Sequence, residues 1–218
     1  MKKKFLSLMM AAAVVATTSV SAFAAESNTY EIGDTAQEHE VTVTGNIPTA
    51  SGEVVQGTIS VTVPTAITFT VNKKGSIEAP SITVINNNTE KVEVVASEFV
   101  DTSNGSKITV VPSNDLSNSA YTNGDDNRYV SLTLTGKGGS VGLGSTKTQT
   151  GLYDSNGHEI SKGTDQPLGF AYKDNNLTLN LTGEAKKGSE GRYEAPSKPI
   201  QDKFTLTLKI KKASQPGA

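Results

Sequence analysis

The sequence predicts an all-β chain folded as an antiparallel β-sandwich, jelly-roll-like, and three observations carry that prediction. Apolar residues recur with period two in short runs, as in residues 57–71 (G-T-I-S-V-T-V-P-T-A-I-T-F-T-V), where Ile59, Val61 and Val63 alternate with Thr58, Ser60 and Thr62. Clusters of Gly, Asn, Asp, Ser and Pro separate these runs at short intervals. After residue 25 no segment carries the 3.6-residue period of an amphipathic helix. Counting the runs gives about ten strands, the grammar of a sandwich rather than of an α/β fold.

Residues 1–24 fall outside that grammar. A lysine-led start, an apolar middle and a small-residue end at Ala22, Phe23 and Ala24 describe a secretory signal peptide with cleavage after Ala24. The apolar middle is short for a membrane anchor, so no membrane contact is expected once it is removed. Losing it also removes Lys2, Lys3 and Lys4 and makes the remaining chain more acidic than the formal −2 of the whole, which disfavours nucleic acid and anionic lipid as partners. There is no cysteine, which excludes thiolate catalysis, zinc-thiolate sites and disulfides. A single domain of this length buries roughly 70% of its unfolded surface, enough for a core without covalent staples. The last residues carry no hydrophobic tail or sorting signal, so release, or retention at the surface by other proteins, is expected.

The domain organisation follows in order. Residues 25–50 form an N-terminal arm containing one short strand, 40–47, in which Val41, Val43 and Ile47 share a face and Gly45 leaves a gap in that row. Residues 51–212 form a single sandwich domain, and 213–218 a tail. Within the domain, Pro64 divides 57–71 into two strands by removing a donor and fixing φ, so the chain bends there. Lys73, Lys74, Gly75 and Ser76 make a turn. Strand 81–86 (S-I-T-V-I-N) then leads through Asn86, Asn87 and Asn88 into 91–96 (K-V-E-V-V-A), read as a hairpin. Strand 107–111 stops at Pro112, and 113–128 is a polar loop. Strand 129–135 (Y-V-S-L-T-L-T) is regular, whereas the segment 136–166 is turn-rich and aperiodic. Strands 167–173 and 176–182 are expected to pair across Asp174 and Asn175, and 184–200 to form a charged loop. Strand 203–212 closes the fold with Phe204, Leu206, Leu208 and Ile210 inward, and with Thr205, Thr207, Lys209 and Lys211 facing water.

Candidate chemistry is sparse. Asp154 and His158 with Ser155 or Ser161 contain the elements of a hydrolytic trio, but neither serine lies in a nucleophile elbow; His39 and His158 read as solvated residues. Asp125, Asp126, Asp174 and Glu184 sit in turns rather than as a carboxylate pair across a cleft. The run Gly136, Lys137, Gly138, Gly139 lacks the ending and the helix of a phosphate loop. Residues 123–127 and 154–157 gather oxygen ligands without calcium-loop spacing. No tryptophan is present and the six tyrosines are dispersed, which weakens a sugar-binding platform. Lys107, Lys203 and Asn180 lie in or beside strands, where a Lys-Asn cross-link would need them, without forming a recognisable triple. The expectation is no enzyme, no cofactor and no metal.

V-T-V-P-T-A-I-T-F-T-V, with the later S-I-T-V-I-N-N-N-T-E-K-V-E-V and the closing F-T-L-T-L-K-I-K, resembles the pilin-like biofilm fibre subunits of clostridia (the BsaA type) and, more distantly, the TasA and camelysin matrix group. The cell-wall-binding WxL proteins share the strand grammar, but the lack of tryptophan argues against them. The resemblance implies a secreted structural subunit at the surface of a Gram-positive bacterium, with copies of itself as partner and cell-surface or matrix components as further contacts. The alternative is a monomeric secreted adhesin or carbohydrate-binding module. Strand 40–47 is the candidate for exchange between copies: a strand laid on a partner's open edge gains a row of backbone hydrogen bonds and pockets for Val41, Val43 and Ile47, while Gly45 permits close approach. In a lone subunit the same segment can fold back on its own sheet.

Overall fold

The computed structural model describes residues 27–32, 43–45, 59–64, 67–102, 107–124, 127–145, 148–198 and 200–213, with only the backbone path at 27–32, 43–45 and 59. The proposed signal peptide lies outside the described residues. Along the chain run β1 (Ser27–Ile32), β2 (Val43–Gly45), β3 (Ile59–Pro64), β4 (Thr70–Val71), β5 (Ile77–Glu78), β6 (Ile82–Asn86), β7 (Val92–Asp101) and β8 (Ile108–Val110). They are followed by β9 (Arg128–Gly136), β10 (Gly139–Leu143), β11 (Leu152–Tyr153), β12 (Gln166–Ala171), β13 (Leu177–Ala185) and β14 (Phe204–Lys212). A single 3-10 turn, Ser113–Asp115, is the one helical piece among the described residues.

Alternation decides what each strand buries. In β6, Ile82 and Val84 are buried while Thr83 and Ile85 are half-buried; in β13, Leu177 and Leu179 are buried while Thr178 and Asn180 are exposed. Strands patterned in this way need a second apolar layer, and two sheets supply it. The large sheet runs β1-β3-β6-β13-β9-β10-β11 with β8 beside β9, and the small sheet runs β12-β7-β14-β2. Val61, Val84, Leu134 and Leu179 of the large sheet and Val94 and Ile210 of the small one are fully buried in one common cluster. At about 25 cal/mol per Å² of apolar surface removed from water, this cluster is the main term holding a cysteine-free chain folded. Pairings are antiparallel except β8 with β9 and β2 with β14, which are parallel. The all-β sandwich expected from the sequence is what the chain forms.

Two expected hairpins are instead arches between sheets. β6 pairs with β3 and β13 in the large sheet, whereas β7 pairs with β12 and β14 in the small one. The crossing is held by Asn86, whose side chain is fully buried: Nδ2 donates to the carbonyls of Glu90 (2.6 Å) and Ala171 (3.1 Å), and Oδ1 accepts from the Asn88 amide. Three satisfied bonds let an amide sit in the corner of an apolar core. The second arch, at Tyr172 and Asn175, is closed by two reciprocal backbone bonds (3.0 and 3.2 Å), after which β13 joins the large sheet. Both β6 and β7, like both β12 and β13, carry an apolar face, and facing sheets bury the two faces against each other.

Three local readings change as well. β10 is a strand within the aperiodic 136–166 segment; it forms a tight hairpin with β9 and buries Val141 and Leu143. Its turn packs against β12, where a side chain at Gly136 would run into the Leu168 carbonyl and one at Gly138 would lie 2.7 Å from the Gly169 Cα. Opposite β14, β7 carries one extra residue, Ser97, between the partners of Thr207 and Leu208; Phe204 and Leu206 pack on the core as half-buried residues in one row with Leu208 and Ile210, whereas Thr207, expected to face water, is buried. β3 ends at Pro64 as expected, but only Thr70 and Val71 of the second half form a strand, paired with β5 across a turn where Gly75 has φ +85°. Ile67, Phe69 and Val71 still face the core, with Phe69 and Phe99 each stacked with Phe204, at 6.4 and 5.4 Å between ring centroids.

Candidate functional site

The arm contributes strands to both sheets, and each sits at an edge. β1 pairs antiparallel with β3 over six residues, Ser27 with Pro64 through Ile32 with Ile59. β2 lies parallel to β14, placing Val43 against Leu208, Thr44 against Lys209 and Gly45 against Ile210. Val43 and Gly45 of the candidate donor strand therefore sit on the chain's own sheet; Val41 and Ile47 lie outside the described residues. β14 pairs with β7 along all nine of its residues, yet on its other side β2 covers only three. Among the described residues, 204–207 and 211–212 have no strand beside them there. Unpaired backbone along a strand is a template for another chain. Parallel addition of β2 is also reachable from outside the fold, because no turn joins it to β14.

The opposite edge, β12, is built differently. Pro167 lacks a donor, and an extra residue between Pro167 and Gly169 bulges the strand. Past the bulge Ala171 is buried while Phe170 and Tyr172 are exposed. Across the outer face of the small sheet, Phe170 pairs with Glu93 and Glu93 with Lys211; beside them Pro167 pairs with Val95 and Val95 with Lys209. Lys209 and Lys211 both bind Asp165, at 2.9 and 2.7 Å, and Lys211 also reaches Glu93 at 3.6 Å. Burial disfavours the Asp165 anion, but hydrogen bonds from the two lysines outweigh it and hold this carboxyl below its usual range; the Lys211 ammonium is held above its own.

A polar hollow of about 250 Å³ opens on the same side, lined by Ser97, Glu98, Gln149, Lys162, Thr164 and Lys209 among others. Its wall is fixed by Glu159. Oε1 accepts from the amides of Gln149, Thr150 and Gly151 (2.9 Å each), and Oε2 from the Thr148 amide at 3.0 Å and from the Thr148 hydroxyl. Partial burial opposes ionisation, but the Thr148 hydroxyl and the Gly151, Gln149 and Thr148 amides prevail and pull this carboxyl down to about 2. Burial, followed by that nearby charge, pushes the Tyr153 phenol up. The carboxylate thus takes the place of a strand partner for the amides of residues 148–151, while the Thr150 and Gly151 carbonyls accept from the Phe99 and Gly144 amides.

The remaining candidates resolve into turns. Asp154 Oδ1 accepts from the amides of His158 and Asn156 (2.9 Å each), which lowers its pKa, and His158 stands 3.7 Å away with its side chain 80% exposed. Among the described residues no serine hydroxyl bonds to His158, so Ser155 and Ser161 complete no trio. Asn123 spends its side chain on the Lys186 carbonyl and the Tyr129 amide, and Asn127 spends its own on Gly124; Asp125 and Asp126 are outside the described residues, as is His39. Lys137 and Gly138 form the β9–β10 turn rather than a phosphate cradle. Asn180 is exposed and accepts from the Ser81 hydroxyl, on the other sheet from the strand that Lys203 precedes. Among the described residues there is no cluster of three metal-ligating side chains. Nothing in the sequence groups Phe170, Tyr172 and Lys91. In F-A-Y the natural inference buries the rings and exposes Ala171, and only the bulge reverses it.

The chain matches no known family, no curated protein and no solved structure.

Proposed function

We propose that this chain is a secreted structural subunit of an extracellular fibre or biofilm matrix, at the surface of a Gram-positive bacterium, that assembles head to tail by exchanging the strand at 40–47 between copies. The observation that carries this reading is the β14 edge, regular over nine residues and covered over three by a strand that comes from the N-terminal arm. Pairing within a chain and pairing between chains use the same hydrogen bonds, so a strand that closes its own edge in one copy can close a neighbour's in a polymer. The contact is heterologous and does not close on itself, so repetition gives a filament. The test deletes residues 25–47 and, separately, combines Val41→Asp with Val43→Asp, then compares native sizing and electron microscopy with the parent. Long species in the parent and their loss in both variants support the reading; normal filaments in either variant exclude strand exchange. A parent that stays monomeric at high concentration excludes the fibre and leaves the second reading, an adhesin or carbohydrate-binding module, which the exposed rings of Phe170 and Tyr172 favour.

A further inference from the structure

Phe170 and Tyr172, 39% and 44% exposed, are the large apolar side chains left open among the described residues. They stand two residues apart at the β12 end of the small sheet's outer face. Lys91 reaches both, its ammonium over the Phe170 ring at 3.5 Å from the centroid and over that of Tyr172 at 5.5 Å. The neighbouring carboxylates are engaged elsewhere: Glu90 with Lys212, Glu93 with Lys211, Asp165 with Lys209 and Lys211. Among the described residues Lys91 has no carboxylate partner. The ring faces hold its ammonium in place by cation–π attraction, without neutralising it. A fixed cation beside an exposed ring, on a chain of negative net charge, suits a ligand with an apolar face and an anionic group together. A neutral sugar would use the ring alone, and a phosphate polymer the charge alone.

We infer that this face binds an acidic polysaccharide of the uronate type. A pyranose ring stacks on Tyr172 beside Phe170, and its carboxylate pairs with Lys91. Further along β7, Ser97 is four residues beyond Glu93, about 13 Å of strand, and there the hollow offers Gln149, Lys162 and Thr164 to the hydroxyls of neighbouring sugar units. Glu159 holds the Gln149 wall in place before any ligand arrives. The inference is independent of strand exchange, since β12 and β2 close opposite edges of the sheet.

The test is calorimetric titration of the full protein with oligogalacturonate, a neutral glucan of equal length, and polyphosphate. Oligogalacturonate is expected to bind about tenfold tighter than the glucan, a difference of about 1.4 kcal/mol, and tighter than polyphosphate. Lys91→Gln should reduce it to the level of the glucan, Lys91→Arg should preserve the preference, and Tyr172→Ala should weaken both sugars, with circular dichroism showing each variant folded. Equal binding of uronate and glucan, stronger binding of polyphosphate, an unchanged preference in Lys91→Gln, or heat arising only from association of the protein with itself would each overturn the proposal.

Discussion

The two edges of the small sheet solve one problem in opposite ways. β12 protects itself: a proline, a bulge and a crown of aromatic and charged side chains leave no straight run of free backbone. β14 is regular, and its partner on the open side is three residues drawn from the other end of the chain. An edge that blunts itself can afford to carry exposed chemistry, whereas an edge that depends on a borrowed strand is suited to accept one from elsewhere. The assembly reading therefore falls on β14 and the ligand reading on β12.

The comparison breaks first if β14 is not anchored by its own core. Ile210, fully buried opposite Gly45, should cost about 2–5 kcal/mol as Ile210→Ala, and the half-buried Leu206 clearly less as Leu206→Ala, both read from denaturant midpoints. Equal losses, or the reverse order, would mean that the strand is held at its N-terminal half and that the β2 side is not its anchored end. On the β12 side the corresponding anchor is Asn86, whose amide reaches the Ala171 carbonyl at the end of that strand. Asn86→Ala removes that donor and leaves buried carbonyls unpaired, an expected loss of about 1–3 kcal/mol. Stability within a few tenths of the parent would show that the arches do not rely on it.

Much of this fold was legible in the sequence, and what was not has physical causes. Period-two alternation located β3, β6, β7, β9, β13 and β14 because each must wet one face and dry the other. It could not say which strands pair, because a turn such as 86–88 or 172–175 has the same composition whether it folds back in one sheet or crosses to the next. β10 escaped because its glycines answer to packing against β12 rather than to a strand pattern. The bulge at Leu168 shifts its row by one residue and reverses which side chains are exposed, and the extra residue Ser97 interrupts the alternation of β7 between Ala96 and Phe99, which both face the core. For the site, Val43 and Gly45 were chosen for their place in an isolated strand and do lie at an edge. Lys91 could not be found from its spacing, since its rings come from a strand more than seventy residues away.

A smaller effect separates the hollow beside β12 from the sheet beneath it. Glu159 has its carboxyl lowered to about 2 from an ordinary 4.5, so its contribution is complete above about 4.5 and fades as pH falls through 2. Glu159→Gln should destabilise by about 1 kcal/mol at neutral pH, the range for charge-assisted bonds discounted for a half-exposed group. The gap between parent and variant should narrow steadily in denaturant titrations between pH 4.5 and 2. A gap that does not change with pH would mean that shape, and not charge, holds the loop.

The smallest change is expected at Asp165, where the small sheet's outer face carries two lysines on one carboxylate. Surface ion pairs contribute about 0–1 kcal/mol, and sharing one anion between Lys209 and Lys211 places this one toward the upper part of that span. Asp165→Asn should therefore cost less than about 1 kcal/mol. The cost should shrink as added salt screens the pair, and again as acid protonates the parent's carboxyl below its usual value near 3.8. Because Asp165 lies between β12 and β14, the variant also frees two lysines for an anionic ligand. Oligogalacturonate should bind it somewhat more tightly than the parent, while the filament length set at β14 stays the same. A variant that shortened filaments while leaving the ligand unaffected would put the assembly contact on this face and undo the division of labour between the two edges.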